Sequence, residues 1–370
     1  MKYDVIVIGA GPAGSTVSSL LLENGAKSVL LLEKERFPRV KPCAGGISPK
    51  TLKLLHELGL LKEIEQTLGK DLYPIRGARV VSPSGRTLIF SGRDEAAVAP
   101  RPLFDSALLG IAEKRGARVK EASEVYSFAG NSEGVRVVLS SGEAFTGKYA
   151  VNASGGGSRF RLPVPKEELM TSCMGWYEGI PYTNNSLEMI FDPGLTPHYG
   201  WLFPESDTRC NIGICMLNNN RRGISVVDIF NAFLEKQILP RCGGKSPKAL
   251  GGLNVFPLIC SLPSKLPPME DRCLRVGEAA GLVHPFTGEG ISFALKSAYL
   301  AAQTLVQGIR EDTDFSLLER NYRNSLKRTF EIPLRFSSVM KACTAGFLNT
   351  AGMVSIPPLT NLIGKIFSKV

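Results

Sequence analysis

The sequence predicts an α/β fold, with a Rossmann-like nucleotide-binding domain, a second, antiparallel β-sheet domain and C-terminal helices. Three observations predict it. Near the start, an apolar strand runs into Gly9-Ala10-Gly11-Pro12-Ala13-Gly14 and then into a helix-compatible stretch. The middle of the chain is a succession of short alternating runs separated by turn residues. Towards the end, another short strand meets Gly277-Glu278-Ala279-Ala280-Gly281, and Gly288-Glu289-Gly290 then opens a long Ala- and Leu-rich helix.

Residues 3–8 are apolar and β-branched, as expected of a buried parallel strand. Gly9 permits a tight turn, Gly11 lets backbone approach a pyrophosphate, and Gly14 lets the following helix, 13–22, pack on the strand. Pro12 and Ala13 stand at the start of that helix, whose N-terminus offers N–H donors and positive potential. Residues 28–32 read as a second buried strand, and Glu33 at its end, followed by Lys34, is placed to accept hydrogen bonds from the adenosine ribose hydroxyls. A lone glycine motif is weak, but the strand, turn, helix and terminal acid together read as dinucleotide binding.

A loop over 36–49 leads to a helix over 51–58, ended by Gly59. Runs at 78–81 and 86–90 flank Ser82-Pro83-Ser84-Gly85, a hairpin signal. Residues 101–114 are helical and 117–120 form a strand. The runs 121–129, 135–139 and 143–149 read as a small antiparallel meander, and 148–153 as a separate buried strand ending in Ser154-Gly155-Gly156-Gly157-Ser158. From 162 to 265 the pattern is mostly β, with a helix over 226–237. Then follow a strand over 273–276, a helix over 290–308 and a charged helical stretch over 312–328. The expected division is a cofactor domain of 1–70, 100–160 and 268–310, a substrate domain of 71–99 and 161–267, and a C-terminal helical region of 311–370.

At 370 residues with 44% hydrophobic residues the chain is globular, and no run of about 18 apolar residues offers a membrane span. The first apolar run is the nucleotide-binding strand rather than a signal peptide, so a cytoplasmic location is expected. The eight cysteines are then expected to be reduced, and they form no CxxC pair or cluster with the three histidines, so no metal site is expected. The net charge of +10 comes without the aromatic and basic interleaving of a nucleic-acid platform, so a nucleic-acid partner is not expected. A basic balance also suits an anionic membrane surface, and residues 359–370 mix Leu362, Ile363, Ile366 and Phe367 with Lys365 and Lys369. That leaves peripheral membrane association open beside docking of the tail on its own domain.

The two glycine blocks read as halves of one FAD site. Glu278 is placed to accept from the ribityl hydroxyls, while Gly288, Gly290 and Ile291, at the N-terminus of the following helix, can present N–H groups to the N1/C2 carbonyl edge of the flavin. The alternation of Tyr199, Trp201 and Phe203 puts all three on one strand face as an aromatic wall, which is either ordinary β-domain core or the wall of an apolar substrate site. His198 and His284 lie close to these blocks and read as structural.

The chain resembles the para-hydroxybenzoate-hydroxylase-like FAD proteins and, within them, the geranylgeranyl reductase family. The carriers are residues 9–14, Arg101 with Phe104-Asp105, residues 153–161 and residues 277–290. Lys41-Pro42-Cys43-Ala44-Gly45-Gly46 looks like the family's Pro-Cys-x-Gly-Gly loop, and Tyr199-Gly200-Trp201-Leu202-Phe203-Pro204 like its Tyr-x-Trp-x-Phe-Pro substrate motif. The resemblance implies that the first loop lies over the flavin, with Cys43, Ala44, Gly45 and Arg101 against the cofactor. Tyr199, Trp201, Phe203, Pro204 and Gly213 are then implied to be against the substrate. A thiol, with a reference pKa of ~8.5, is mostly protonated at neutral pH, so Cys43 can donate a proton to one alkene carbon while flavin N5 delivers hydride to the other.

Three departures bear on this expectation. Glu278 stands where Asp is more usual, Ser154 replaces an Asp that many flavin hydroxylases use, and the glycine pair expected after the aromatic motif reads Gly213-Ile214-Cys215. The second departure puts direct reduction by NADPH in doubt. The leading expectation is an FAD-dependent reductase that saturates C=C bonds of a geranylgeranyl or other isoprenoid chain on a lipid, quinone or prenyl diphosphate, fed by NAD(P)H, ferredoxin or another low-potential donor. An FAD monooxygenase of an apolar or aromatic substrate is the alternative, since the scaffold serves both. A non-catalytic FAD- or lipid-binding protein is the alternative of another class. Halogenation is disfavoured, because halogenases carry Trp-x-Trp-x-Ile-Pro in place of the Tyr199 to Pro204 segment.

Overall fold

The computed structural model describes residues 2–349 except 83, 84, 166–168, 196, 197, 219–222, 268 and 270, and does not describe the side chains of 92–94 and 339–349. The expected surface-seeking segment at 359–370 therefore lies outside the described residues.

The chain opens with β1 (Lys2–Ile8), α1 (Pro12–Glu23), β2 (Val29–Leu32), β3 (Gly46–Ile47), α2 (Pro49–Glu57) and α3 (Leu61–Leu68). It continues through β4 (Tyr73–Val81), β5 (Thr87–Val98), α4 (Arg101–Lys114), β6 (Arg118–Lys120), β7 (Val125–Asn131), β8 (Gly134–Leu139) and β9 (Ala144–Asn152). Next come β10 (Met170–Glu178), β11 (Ser186–Ile190), β12 (Gly200–Pro204), β13 (Arg209–Leu217), α5 (Val226–Phe233), β14 (Lys248–Ala249) and β15 (Asn254–Leu258). β16 (Cys273–Arg275), α6 (Ile291–Glu311) and α7 (Phe315–Asn349) close it.

The first sheet has the order β6-β2-β1-β9-β8-β7, with β16 also on β9. Its strands β6, β2, β1, β9 and β16 run parallel, whereas β7 and β8 are antiparallel additions. Strand alternation explains its two cores. Val5, Val7, Val29, Leu31, Tyr149 and Val151 point to the helical side, where α1 packs on α4 and α6. Ile6, Ile8, Leu30, Leu32 and Ala150 point the other way, onto Val125, Val135, Val137 and Leu139 of the β7/β8 hairpin. Both faces are covered, which is why these strands read as unbroken apolar runs.

One expectation fails here. The runs 143–149 and 148–153 are not two strands but the single β9, whose first half pairs with β8 and whose last residues pair with β16. Two partners share one edge, so the sequence shows a meander strand and a buried strand end to end. The helix expected over 312–328 also extends much further, as Phe315–Asn349.

The second sheet has the order β14-β10-β13-β12-β11-β4-β5-β3, with β15 on β10. It is antiparallel except that β11 runs parallel to β4, a pairing between segments that a long connection separates. One face, with Cys173, Leu202, Ile212 and Ile214, is closed by Phe230 and Phe233 of α5. The opposite face carries Met170, Met174, Met189, Trp201 and Cys215 and looks towards the first sheet's loops. No described helix is long and apolar enough to cross a membrane.

Candidate functional site

A single cavity of about 1200 Å³ receives both glycine blocks, the Cys43 loop and the aromatic strand β12. On its nucleotide side, Gly9 leaves β1 at φ +98°, a conformation open mainly to glycine, and a Cβ there would sit 2.6 Å from the Ala153 carbonyl oxygen. α1 starts at Gly11 without a side-chain cap and has Pro12 in its first turn, so its leading N–H groups are left for a ligand. Gly11, Pro12 and Ala13 line the cavity. Gly14 does not reach it; its place is against the Gly9 carbonyl, where a side chain would collide.

Glu33 is buried at the end of β2, where its Oε2 accepts from Ala10 N–H at 2.8 Å and its Oε1 from Glu35 N–H at 3.0 Å. Each carboxylate oxygen has two acceptor lobes, so these bonds orient the group and leave capacity towards the cavity. Lys34 lines the same end and pairs with Glu35 at the surface, 3.7 Å away.

Across the cavity, Gly277–Ala280 form a 3₁₀ turn after β16, and Glu278 projects beside Gly156, where a Cβ would clash with its carboxylate. Glu278 Oε1 is buried and has no hydrogen-bond partner among the described residues. A buried carboxylate oxygen is costly to leave unpaired, and the Glu278 side chain that carries it lines the cavity. Gly288, Glu289, Gly290 and Ile291 form the neighbouring wall, and α6 begins there, again without a side-chain cap. Two uncapped helix N-termini and an orphaned carboxylate oxygen are the donor and acceptor set that a flavin dinucleotide requires.

His284 supports that wall from behind, and Glu289 ties it to α2. His284 Nδ1 accepts from Thr287 N–H at 3.1 Å and lies 3.2 Å from Ser337 Oγ of α7. Burial, helped by Lys50, lowers its pKa to about 4, so it is neutral and structural. Ser48 and Thr51 hydroxyls donate to Glu289 Oε1 at 2.9 and 3.1 Å, which ties the start of α2 to the glycine loop. Burial pushes the Glu289 carboxyl above its ordinary value.

Between the two halves lies Cys43. Gly45 N–H donates to its sulfur at 3.4 Å. Gly45, at φ +74°, faces the Ala99 carbonyl rather than the cavity, and a Cβ there would collide with it. Its neighbour Ala44 lines the cavity. Arg101, at the start of α4, is buried and binds Asp105 bidentately at 2.7 and 2.8 Å. Burial opposes the guanidinium's charge, but Asp105 and the Cys43 sulfur more than offset it, and the net effect is a raised pKa. Arg39 joins Asp105 at 3.3 Å and Glu33 at 3.8 Å, linking the Cys43 region to the ribose end.

On the far side, Tyr199, Trp201 and Phe203 face the cavity while Leu202 faces the α5 core, as the alternation predicts. Tyr199 donates to the Thr287 carbonyl at 2.5 Å, and Trp201 Nε1 to Asn211 Oδ1 at 2.7 Å. Burial raises the Tyr199 pKa, so its hydroxyl stays protonated. Phe203 touches Gly46, which joins the wall to the Cys43 loop. Pro204 and Gly213 do not line the cavity. Pro204 falls on the opposite face by the same alternation, whereas Gly213 lies beneath the Trp201 ring.

Sequence reasoning missed several members of the site. Met170, Ser172 and Met174 of β10 line it at alternate positions, a period-two signal present in the sequence. Phe256 and the Lys41 ammonium stacked over it, with Nζ 3.2 Å from the ring centroid, depend on segments far apart in the chain, and no local pattern announces them.

Comparison with known proteins gives a consistent result. A sequence profile described as the FAD binding domain matches residues 2–222. Digeranylgeranylglycerophospholipid reductase 3 of Methanosphaera stadtmanae is 27% identical over 341 residues, covering 85% of this chain and 80% of the relative. Menaquinone reductase of Mycobacterium tuberculosis is 26% identical over 328 residues, covering 82% and 76% respectively. A geranylgeranyl bacteriochlorophyll reductase-like protein of Thermoplasma acidophilum superposes with a TM-score of 0.81 at 22% identity, over 100% of this chain and 92% of that one. A flavin-dependent brominase reaches a TM-score of 0.80 at 19% identity, over 100% and 94%. At such identities the structural likeness concerns the fold, which reductases and halogenases share.

Proposed function

Because this chain belongs to the FAD-binding domain family, we propose that it is an FAD-dependent oxidoreductase of the geranylgeranyl reductase type that saturates C=C bonds of an isoprenoid chain. Relatives named for reduction of digeranylgeranylglycerophospholipid and of menaquinone support that reaction class. The observation that carries the reading is that Cys43 lines one cavity together with the glycine blocks and an apolar wall of Tyr199, Trp201, Phe203 and three methionines. A charged metabolite would pay a desolvation penalty against that wall, whereas a prenyl chain gains by burial there, at about 0.8 kcal/mol per CH₂.

Reduced FAD, when bound, supplies hydride from N5. The chain's own residues do the rest. Gly9, Gly11, Glu33, Glu278, Gly288 and Gly290 hold the cofactor through backbone donors and carboxylate acceptors. The aromatic wall excludes water and aligns the alkene, and Cys43 delivers the proton. Reducing equivalents come from NAD(P)H, ferredoxin or another low-potential donor.

The test is anaerobic. Purified protein is reduced with dithionite and mixed with geranylgeranyl lipids, quinones or diphosphates, and the expected result is flavin reoxidation with products heavier by two hydrogens per bond. Reoxidation only on admission of oxygen, with an oxygenated product, would replace the reductase with a monooxygenase. Alkene reduction at the wild-type rate by Cys43→Ala would remove the proton-donor role.

A further inference from the structure

The second half of α7 has one face firmly seated and one open. Phe330 stacks on Phe293 of α6 with ring centroids 5.2 Å apart, Leu334 is buried in the same core, and Ser337 is buried with its Oγ 3.2 Å from His284 Nδ1. Glu331 accepts from the Ser264 N–H at 2.9 Å and from its hydroxyl at 2.6 Å. These contacts fix how the helix is turned about its axis, and so fix what it shows to solvent.

The open face is exposed at every fourth position, Arg320, Asn324, Arg328, Ile332 and Phe336. Positions four apart are neighbours on a helix, so these side chains form a stripe that is basic towards its start and apolar towards its end. Ile332 is 77% exposed and Phe336 54%, with exposed Pro333 beside them. One exposed apolar residue is ordinary, but three together on the solvent side of a seated helix mark a contact surface. The charge around them indicates the partner. Arg328 lies one turn before Ile332, and Arg335, bonded through Nε to Glu331 Oε1 at 2.7 Å, is itself exposed. Residues 332–370 contain no Asp or Glu but include Arg335, Lys341, Lys365 and Lys369. A second copy of this face would bring arginine against arginine, and the chain's own residues 359–370 would bring lysine. An anionic bilayer suits both parts of the stripe, since lipid phosphates meet the guanidinium groups and acyl chains take the apolar side chains.

We infer that the face of α7 bearing Arg328, Ile332, Arg335 and Phe336 docks this protein on an anionic lipid bilayer. No described helix is long and apolar enough to cross one, so α7 lies along the surface with Ile332 and Phe336 inserted. The inference goes beyond the reductase reading and does not depend on which bond is reduced.

The test uses the FAD-loaded 370-residue chain and sucrose-loaded vesicles of phosphatidylcholine, alone or mixed equally with phosphatidylglycerol, with bound protein measured by sedimentation. The protein should sediment with the mixed vesicles, about tenfold more weakly with phosphatidylcholine alone, and the preference should shrink as salt is raised. Ile332→Ser/Phe336→Ser and, separately, Arg328→Gln/Arg335→Gln should each lower affinity for the mixed vesicles by roughly tenfold. All four side chains are exposed, and circular dichroism with flavin absorbance verifies that fold and cofactor are kept. Phe336→Trp adds a local readout: its emission should shift to the blue on mixed vesicles and be quenched by brominated phosphatidylglycerol. Wild-type protein that stays in the supernatant would overturn the inference. So would undiminished sedimentation of Ile332→Ser/Phe336→Ser, which would move the contact to another surface. A dimer that this double variant dissociates, without vesicle binding, would give the face to a second copy instead.

Discussion

The indole of Trp201 lies across Gly213, its register partner on the neighbouring strand, and fills the space that a Cβ at position 213 would occupy. The wall's central ring is therefore set by an absence of side chain behind it. Gly213→Ala should drive Trp201 into the cavity, at a cost of about 1–3 kcal/mol from overpacking. Turnover of long prenyl substrates should fall while FAD stays bound. Urea melts and paired assays on short and long prenyl chains would check this, and equal loss on both would count against it.

Asp105 is the second sensitive point, because Arg101 and Arg39 both rest on its Oδ2. Asp105→Asn leaves a buried guanidinium without its counter-charge, and the expected destabilisation is about 3–5 kcal/mol, measurable by equilibrium unfolding. Asp105→Glu should recover only part of it, since the bidentate geometry is lost.

Glu278→Gln replaces an orphaned acceptor with an amide of the same size. FAD affinity should fall by roughly tenfold, about 1.4 kcal/mol, while the fold is kept. Flavin fluorescence titration of deflavinated protein reads this directly, and unchanged affinity would mean that Glu278 does not meet the cofactor.

His284 supplies a pH signature of stability. Its folded-state pKa, lowered by burial from 6.5 to about 4, means that the unfolded chain binds the extra proton between those values. Its contribution is fully present above pH about 6.5 and disappears as pH falls through about 4. At 1.36 kcal/mol per unit this is roughly 3 kcal/mol. Unfolding free energies measured from pH 7 to 4 should drop more steeply for the wild type than for His284→Asn.

Much of this was legible in the sequence where the cause is local. The Gly9 turn, the helix at Arg101–Lys114 and the alternation of Tyr199, Trp201 and Phe203 each follow from a period or a conformational requirement within a few residues. β9 misled because a strand's partners are not written in its own sequence, and one edge serving both β8 and β16 resembles two strands. The Arg39 bridge and the Lys41–Phe256 contact are likewise properties of the assembled fold. Pro204 is different: the same alternation that selects Trp201 and Phe203 turns it away.

The pairing of α1 with α6 has a consequence for biosynthesis. The first helix leaves the ribosome early and meets α4 soon after, yet its other helical partner, α6, begins only at Ile291, and β16, which extends the parallel sheet beside β9, is not made until Cys273. At translation rates of 5–20 residues per second, the part of α1 that meets α6 would wait on the order of half a minute uncovered. Such long-range closure makes folding slow and exposes the nascent chain to aggregation. Cells making this protein at high level should therefore depend on chaperone holding of the N-terminal segment, and truncations within α6 should be insoluble rather than merely inactive.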